Sequence, residues 1–404
     1  MHPGIRSPRE NYLANPHSHE ATAGPRGRID IDDWIALNLL PGLGPILTRR
    51  ALDRFGDPAE IAYRLPASAL QAIPRLHAGA VAAILAARTG LRRRVEVERG
   101  ACERLGVRLV TAYDPEYPAA FHTLPDPPIL LYVKGTLPPG VVRVAVVGSR
   151  RATAYGRRVA VGLGAALVTR GVEVVSGGAR GIDTCAHIGA LEGEGRTVAV
   201  LGSGFMRLYP SENAELFDRI AGNGAILSEF SLETEPKAEH FPRRNRLISG
   251  LSAAVVVVEA TPRSGSLSTA AHALDQGREV MAVPGPVSSE QSQGCHNLIQ
   301  QGAKLVQRAE DIFDELSPLY REALLPGGST AGPAAPAAAE EWTADEALVL
   351  SLLDDPEPVQ LDLLAERAPF GVARLHAALF GLEFKGAVEQ LTGGYYLGRP
   401  RKGS

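Results

Sequence analysis

Three arginines beside aromatic and amide side chains form the most informative chemical pattern of this 404-residue sequence. They lie in the segment HFPRRNRLISGLS, residues 240–252, as Arg243, Arg244 and Arg246. Guanidinium groups bind phosphates through paired hydrogen bonds, and the neighbouring Phe241 ring can stack on an unpaired base. The segment therefore indicates a binding site for single-stranded nucleic acid.

Acidic residues upstream leave a second interpretation of the same arginines open. Four glutamates precede the segment, namely Glu229, Glu233, Glu235 and Glu239. Their carboxylates could neutralise the guanidinium groups inside the protein. Asparagine and a Ser-Gly pair, however, accompany the arginines where an acidic network would be expected, which favours nucleic-acid binding.

Glycine-rich segments follow several apolar runs and carry further arginines and hydroxyl groups. They read GSRRATAYG, SGGARGID, GSG and TPRSGS. Glycine lets a phosphate approach the backbone, helix N-termini present free N–H groups, and arginine adds positive charge. One such turn is equally typical of any tight strand-to-helix connection, but several at one edge favour a phosphate-binding surface. With the arginine segment included, the predicted DNA-binding residues are Gly148, Ser149, Arg150, Gly156, Gly178, Arg180, Arg243, Asn245, Arg246, Ser264, Gly265 and Ser266.

The elements that must bring these residues to one edge alternate between short β-rich runs and helix-length segments. The runs, between residues 142 and 307, read VRVAVVG, VEVVSGG, TVAVLGSG, AILSEF, AAVVVVEA, EVMAVPG and KLVQ. Several are apolar on both faces, which is typical of parallel strands covered by helices on each side. Ligands gather where the carboxyl ends of parallel strands meet. We therefore expect an α/β fold with an extended Rossmann-like, doubly wound sheet.

Changes in composition divide the chain into five segments. The predicted segments are a disordered polar tail at 1–29, a helical domain at 30–105, the Rossmann-like core at 106–316, a flexible Pro/Ala/Gly-rich linker at 317–341 and a winged-helix domain at 342–404. Within the core segment, residues 106–140 are predicted to connect the helices to the sheet and to contain one or two strands.

Two helical modules could contact nucleic acid in their own right. The first resembles a helix-hairpin-helix and reads LLPGLGPILTRRAL. The turn of that motif offers N–H groups to a phosphate. Because only one copy is visible, an ordinary packed corner between two helices is favoured. The C-terminal segment has three helical patterns, then two strands around a Gly-Gly turn, and Thr343 with Glu346 predicts a capping box. Its third helix carries only Arg374, His376 and Lys385, so contact with protein is at least as well supported as base recognition.

Charge, cysteines and missing motifs exclude several function classes. The formal net charge is only −3. The three cysteines are widely spaced and form no metal-binding pattern, so we expect a reduced, cytoplasmic protein without a metal. No apolar run reaches the length of a membrane span. Neither GxGxxG after the first strand nor GxxxxGK[ST] occurs, which argues against a dehydrogenase and a P-loop hydrolase. No cofactor is expected.

An enzyme that hydrolyses a nucleoside monophosphate in the same pocket is the alternative function. Asp183, Glu229 and Glu259 are the acids nearest to the predicted strand ends, and His187 follows Asp183 at i,i+4. Such a pair can perform acid–base chemistry, but without an identified nucleophile a structural role is favoured. A scaffold with only incidental DNA affinity is a third alternative.

Taken together, the motifs resemble the DNA-processing protein A family (DprA, also called Smf). The resemblance runs in order from about residue 144 to residue 305 and rests on GSRRATAYG, SGGARGIDTCAH, LGSG…YPSEN, SEF, HFPRRNRLISGLS, VVVVEA…SGSLSTAAHALDQGREVMAVPG and GCHNLIQQGAKL. The flanking helical and winged-helix segments match that family by pattern only.

The resemblance implies a bacterial, cytosolic protein that binds single-stranded DNA during natural transformation and helps to load the RecA recombinase. It implies that family DNA contacts fall on Ser149, Arg150, Arg243, Asn245 and Arg246. It also implies a homodimer with contacts late in the core, at His296, Ile299 and Leu305. Members of the family are not established enzymes, although their fold is related to that of phosphoribohydrolases acting on nucleoside monophosphates.

Overall fold

The structure is a computed structural model that describes residues 30–324, 342–353, 359–371, 374–375, 378–379, 381–382, 387–391 and 395–398. The predicted tail and most of the predicted linker lie outside these residues. The chain divides into two compact units with a boundary at residue 333. No helix among the described residues is both long and apolar enough to span a membrane.

A nine-stranded sheet organises the larger unit, in the order β1-β2-β6-β5-β4-β3-β7-β8-β9. Strands β3 to β9 are mutually parallel, and they coincide with the β-rich runs of the sequence. The strands are β1 (Arg108–Thr111), β2 (Leu130–Gly135), β3 (Arg143–Val147), β4 (Glu173–Ser176), β5 (Thr197–Val200), β6 (Ala225–Ser228), β7 (Ala254–Val257), β8 (Glu279–Ala282) and β9 (Lys304–Leu305). The segment 106–140 supplies β1 and β2, which extend the sheet antiparallel beside β6.

Helices cover both faces of the parallel strands, so the predicted doubly wound fold is confirmed. Along β3, Val144 and Val146 pack with helices on one face, while Ala145 and Val147 pack with helices on the other. The first face holds α6 (Ala154–Val168), α7 (Ile182–Glu192), α8 (Ala214–Asn223) and α12 (Ala309–Glu315), followed in the chain by α13 (Pro318–Ala323). The second face holds α9 (His240–Gly250), α10 (Ser266–Asp275) and α11 (Glu290–Gln300).

The N-terminal helices share a hydrophobic core with the sheet. These helices are α1 (Ile31–Leu39), α2 (Pro45–Phe55), α3 (Ala67–Gln71), α4 (Ala78–Ala87) and α5 (Leu91–Leu105). Trp34 of α1 belongs to the same buried cluster as Tyr132 of β2 and Phe217 of α8. The carboxylate of Glu98 on α5 accepts a 2.7 Å hydrogen bond from the backbone N–H of Leu232, in the loop after β6. The helices and the sheet therefore form one compact unit.

The smaller unit contains part of the predicted winged-helix pattern. Its described helices and strands are α14 (Ala344–Leu352), β10 (Val359–Gln360), α15 (Leu361–Arg367), β11 (Val388–Leu391) and β12 (Tyr395–Gly398). The third predicted helix, at residues 371–387, lies partly outside the described residues. Thr343 and Glu346 form the predicted capping box. The predicted hairpin is present as β11 and β12, and β10, which the sequence pattern did not reveal, pairs with β12. Arg374 donates hydrogen bonds to Asp345, whereas His376 and Lys385 lie outside the described residues.

Candidate nucleic-acid interface

The topological switch point of the sheet lies between β3 and β7. From β3 the chain moves to β4 on one side, and it later returns to place β7 on the other side. Ligands of doubly wound sheets bind in the crevice that this reversal opens at the carboxyl ends of the strands. The loops after β3, β4, β5 and β6, together with the start of α9, therefore form the carboxyl edge at which a site is expected.

Arginines and aromatic rings alternate along this edge. The Arg180 guanidinium lies 5.6 Å from the centre of the Tyr209 ring, which lies 5.7 Å from the Phe241 ring. The Arg150 guanidinium lies 4.7 Å from the centre of the same Phe241 ring. Both arginines are exposed and both rings are half-buried. We call these residues, together with Arg243 and Phe230, the arginine–aromatic strip.

Arg243 and Phe230 form the second part of the strip. The Arg243 guanidinium lies 4.9 Å from the centre of the Phe230 ring, and the His240 ring lies 4.6 Å from Phe230. One terminal nitrogen of Arg243 donates to Glu229 at 3.0 Å, yet the Arg243 side chain remains 38% exposed. Because a guanidinium has five N–H donors, Arg243 retains donors for a phosphate.

The other two arginines of α9 point into the protein. Arg244 is 3% exposed and donates to the backbone oxygens of Gly177, at 2.7 Å, and Val200. Burial lowers its pKa to about 10. Arg246 is 4% exposed and donates to Glu229 at 2.9 Å and to Asp126 at 2.7 Å. The alternative in which upstream glutamates neutralise the guanidinium groups inside the protein thus holds for Arg246 and, in part, for Arg243.

The predicted glycine and serine residues shape the edge from within. Ser149 is 7% exposed, and its hydroxyl accepts the N–H of Arg151 at 3.1 Å, which fixes the turn that carries Arg150. Gly148 lies in the same turn. Gly178 is buried against the ring of Phe217, and Gly156 is buried against the carboxylate of Glu259.

The loop after β7 is tied to α9 rather than left free. Asn245 is 7% exposed, and its amide donates to the Gly265 oxygen at 3.1 Å and to the Ser268 hydroxyl at 3.2 Å. The hydroxyls of Ser264 and Ser266 lie 2.7 Å apart and bond to each other. The structure therefore brings this loop next to the helix that carries Arg243.

Asp183 and His187 have separate partners. Asp183 is 6% exposed and accepts the N–H groups of Gly177 at 3.2 Å and Ala179 at 3.3 Å. Burial raises the pKa of its carboxyl group. His187 is fully buried and bonds to the Thr197 hydroxyl at 2.7 Å, and burial lowers its pKa to about 3. These contacts give both residues structural roles and do not form an acid–base pair.

Several cations of this edge were missed by the sequence reasoning, namely Arg151, Arg157 and Arg158. Within residues 30–324, these three and Arg263 of the TPRSGS segment, whose charge was expected at this edge, are exposed and have no carboxylate oxygen within 4.0 Å. Tyr209 and Phe230 were missed as well. Phe230 lies two residues after β6, so an aromatic residue near the carboxyl end of a strand was an available signal for it, whereas Tyr209 lies nine residues after β5 and carried no such signal.

The three residues expected at a dimer contact lie near the β9 end of the sheet. Leu305, in β9 itself, is 38% exposed. Ile299 of α11 packs partly against the core. His296 is half-buried and bonds to the Gly285 oxygen at 3.0 Å.

Comparison with known families and proteins gives consistent matches. Residues 108–317 match the family model described as DNA recombination-mediator protein A, and residues 333–394 match the DprA winged helix domain. The DNA processing protein DprA of Bacillus subtilis is 44% identical over 213 residues, which cover 52% of this chain and 72% of that protein. Protein Smf of Synechocystis sp. is 32% identical over 393 residues, covering 90% and 97% of the two chains.

A solved structure is also similar to this fold. The X-ray structure of DNA processing protein A from Streptococcus pneumoniae matches with a TM-score of 0.61 and 32% identity. The match covers 72% of this chain and 99% of that chain.

Proposed function

Because the chain belongs to the DNA recombination-mediator protein A family, we propose that it binds single-stranded DNA along the arginine–aromatic strip. The observation that carries the proposal is that three outward-facing arginines of this edge each lie over an aromatic ring. Arg150, Arg180 and Arg243 lie over Phe241, Tyr209 and Phe230, respectively. Guanidinium groups contact phosphates, while the half-buried rings of Tyr209 and Phe241 stack on any base, so binding is independent of sequence. Phe230 is 6% exposed and supports Arg243 from inside the protein.

The DNA-binding residues predicted from the sequence divide into contact and positioning roles in this proposal. Arg150, Arg180 and Arg243 contact the strand, since their side chains are exposed or half-exposed. Arg180 also pairs with Glu212 at the surface, and an exposed pair of this kind is weak enough to be exchanged for a phosphate. The buried or half-buried residues position the strip, namely Gly148, Ser149, Gly156, Gly178, Asn245, Arg246, Ser264 and Ser266, with exposed Gly265 holding the adjacent loop.

The cellular role proposed here is that of a mediator without catalytic activity. The chain would hold a single strand and help to load RecA recombinase during natural transformation and homologous recombination, in the cytoplasm. The description of the family model as a recombination mediator supports this role. The acids that a nucleotide hydrolase would use, Asp183 and Glu259, already bond to backbone N–H groups.

Wild-type binding should depend strongly on salt and little on base sequence. Contact of three arginines with phosphates predicts a slope of about −2 for log K against log salt with single strands. Fluorescence anisotropy with labelled oligonucleotides of several sequences, from 50 to 300 mM NaCl, measures this slope. A slope near zero, or equal affinity for a matched duplex, would contradict the proposal.

We also propose a homodimer formed through the β9 end of the sheet. Strand β9 has two residues and ends the sheet, so its outer edge can pair with another copy. Leu305 lies exposed in this strand. Sedimentation should show a dimer for the wild type and a larger monomer fraction for Leu305→Glu. A monomeric wild type at micromolar concentration would overturn this assignment.

A further inference from the structure

The switch-point crevice already contains an anion that belongs to the protein itself. In doubly wound folds, a ligand phosphate is held at the N-terminus of the helix that follows the first strand of the parallel sheet. Here that strand is β3 and the helix is α6. Glu259, from the loop after β7, reaches this helix and is only 2% exposed.

Glu259 makes two hydrogen bonds to the N-cap residue of α6, at the place where a ligand phosphate would be held. Its Oε2 accepts the backbone N–H of Thr153 at 2.9 Å, and its Oε1 accepts the Thr153 hydroxyl at 2.5 Å. That hydroxyl in turn accepts the N–H of Gly156 at 3.1 Å and caps α6. Within residues 30–324, no Arg, Lys or His nitrogen lies within 4.0 Å of the Glu259 carboxylate. The negative charge is therefore stabilised by the start of the helix.

Gly156, at the start of α6, leaves room for the Glu259 carboxylate. A Cβ atom at residue 156 would lie 2.4 Å from Glu259 Cδ, so a larger residue would displace this carboxylate. In nucleotide-binding folds, glycine at the corresponding turn lets a phosphate approach the backbone. In this chain the same small residue admits the side chain of Glu259, which comes from the loop after β7.

We propose that Glu259 is an internal substitute for a nucleotide phosphate and makes the sheet edge selective for polynucleotides over free nucleotides. The inference rests on the proposed function. With the α6 N-terminus closed, phosphates are bound only at the separate guanidinium groups of the strip. A polynucleotide engages several of these groups at once, whereas a mononucleotide engages one and gains nothing from multivalency.

Removing the internal anion should open a phosphate site. We expect Glu259→Ala to unfold at a lower temperature than the wild type in chloride. We expect 20 mM inorganic phosphate, compared with chloride at equal ionic strength, to raise its Tm by about 3 °C while leaving the wild type unchanged. Isothermal titration with AMP should likewise detect binding to Glu259→Ala and not to the wild type.

Glu98→Ala is the matched control. Glu98 is also buried and also accepts a backbone N–H, but that N–H belongs to Leu232 in a loop instead of a helix start. Glu98→Ala should therefore lose stability without responding to phosphate. Equal phosphate responses of Glu98→Ala and Glu259→Ala would overturn the proposal.

A second variant covers the case in which Glu259→Ala fails to fold. Glu259→Gln keeps the shape and removes the charge, so its Tm should fall below that of the wild type and stay insensitive to phosphate. A wild-type Tm for Glu259→Gln would show that α6 needs no anion and would refute the inference. None of these measurements contains DNA, so the separate titration of the wild type with oligonucleotides still tests the proposed function by itself.

Discussion

The double variant Arg150→Ala/Arg243→Ala is expected to bind single-stranded DNA about 100-fold more weakly than the wild type, or worse. A hydrogen bond to a charged group contributes about 1.5–3 kcal/mol, and each 1.4 kcal/mol changes affinity about tenfold. The Arg150 side chain is exposed and the Arg243 side chain is 38% exposed, so the fold should be retained when both are removed. Gel-shift or anisotropy titration measures the loss, while circular dichroism verifies that the fold is retained.

A charge-matched control separates specific contacts from the general effect of positive charge. Arg93 on α5 and Arg219 on α8 are exposed and lie outside the strip. Arg93→Ala/Arg219→Ala removes the same formal charge and should change the affinity less than threefold. If both double variants lose affinity equally, the strip is not the binding site.

Replacement of Arg246 should instead affect stability. Removing one member of a buried ion pair costs about 3–5 kcal/mol, because its partner remains buried without compensation. Arg246→Ala leaves Glu229, which is 2% exposed, with Arg243 as its remaining arginine partner, and Asp126 without its ion pair. We expect the free energy of unfolding to fall by about 3–5 kcal/mol in urea denaturation.

Arg243→Ala provides the comparison within the same cluster. Arg243 shares the Glu229 carboxylate but is partly exposed, so its loss should lower stability by only about 1 kcal/mol while weakening DNA binding. Arg246→Ala is thus expected to lose mainly stability, and Arg243→Ala mainly affinity for DNA. Full stability of Arg246→Ala together with a tenfold loss of affinity would mean that Arg246 contacts the strand directly.

The sheet and its ligand edge were predictable because their signals are local. The run AVVVV at residues 254–258 is apolar on both faces, which is typical of a parallel strand between two helical layers. Glycines directly after such runs locate the turns. The identity of the edge follows from the rule that ligands bind at the carboxyl ends of the strands.

Which of the α9 arginines is exposed and which is buried was not predictable from the sequence. Successive residues of a helix differ by about 100° in direction, so Arg243, Arg244 and Arg246 must meet different surroundings. Which of them faces solvent depends on Glu229 and on the backbone oxygens of Gly177, after β4, and Val200, at the end of β5. The last two lie 67 and 44 residues from Arg244 in the chain. The contact between Glu259 and Thr153 was hidden for the same reason.

The shared core of the N-terminal helices determines how truncations of this chain must be interpreted. A fragment that begins at residue 106 would lose the layer that covers Tyr132 and Phe217, and Leu232 would lose its carboxylate acceptor. The loop that Glu98 holds through Leu232 also contains Glu229 and Phe230. Loss of the N-terminal helices would therefore also disturb the strip. If such a fragment failed to bind DNA, the cause could be the lost structure of the sheet edge that carries the strip. The result would therefore not identify the missing helices as a DNA-binding module.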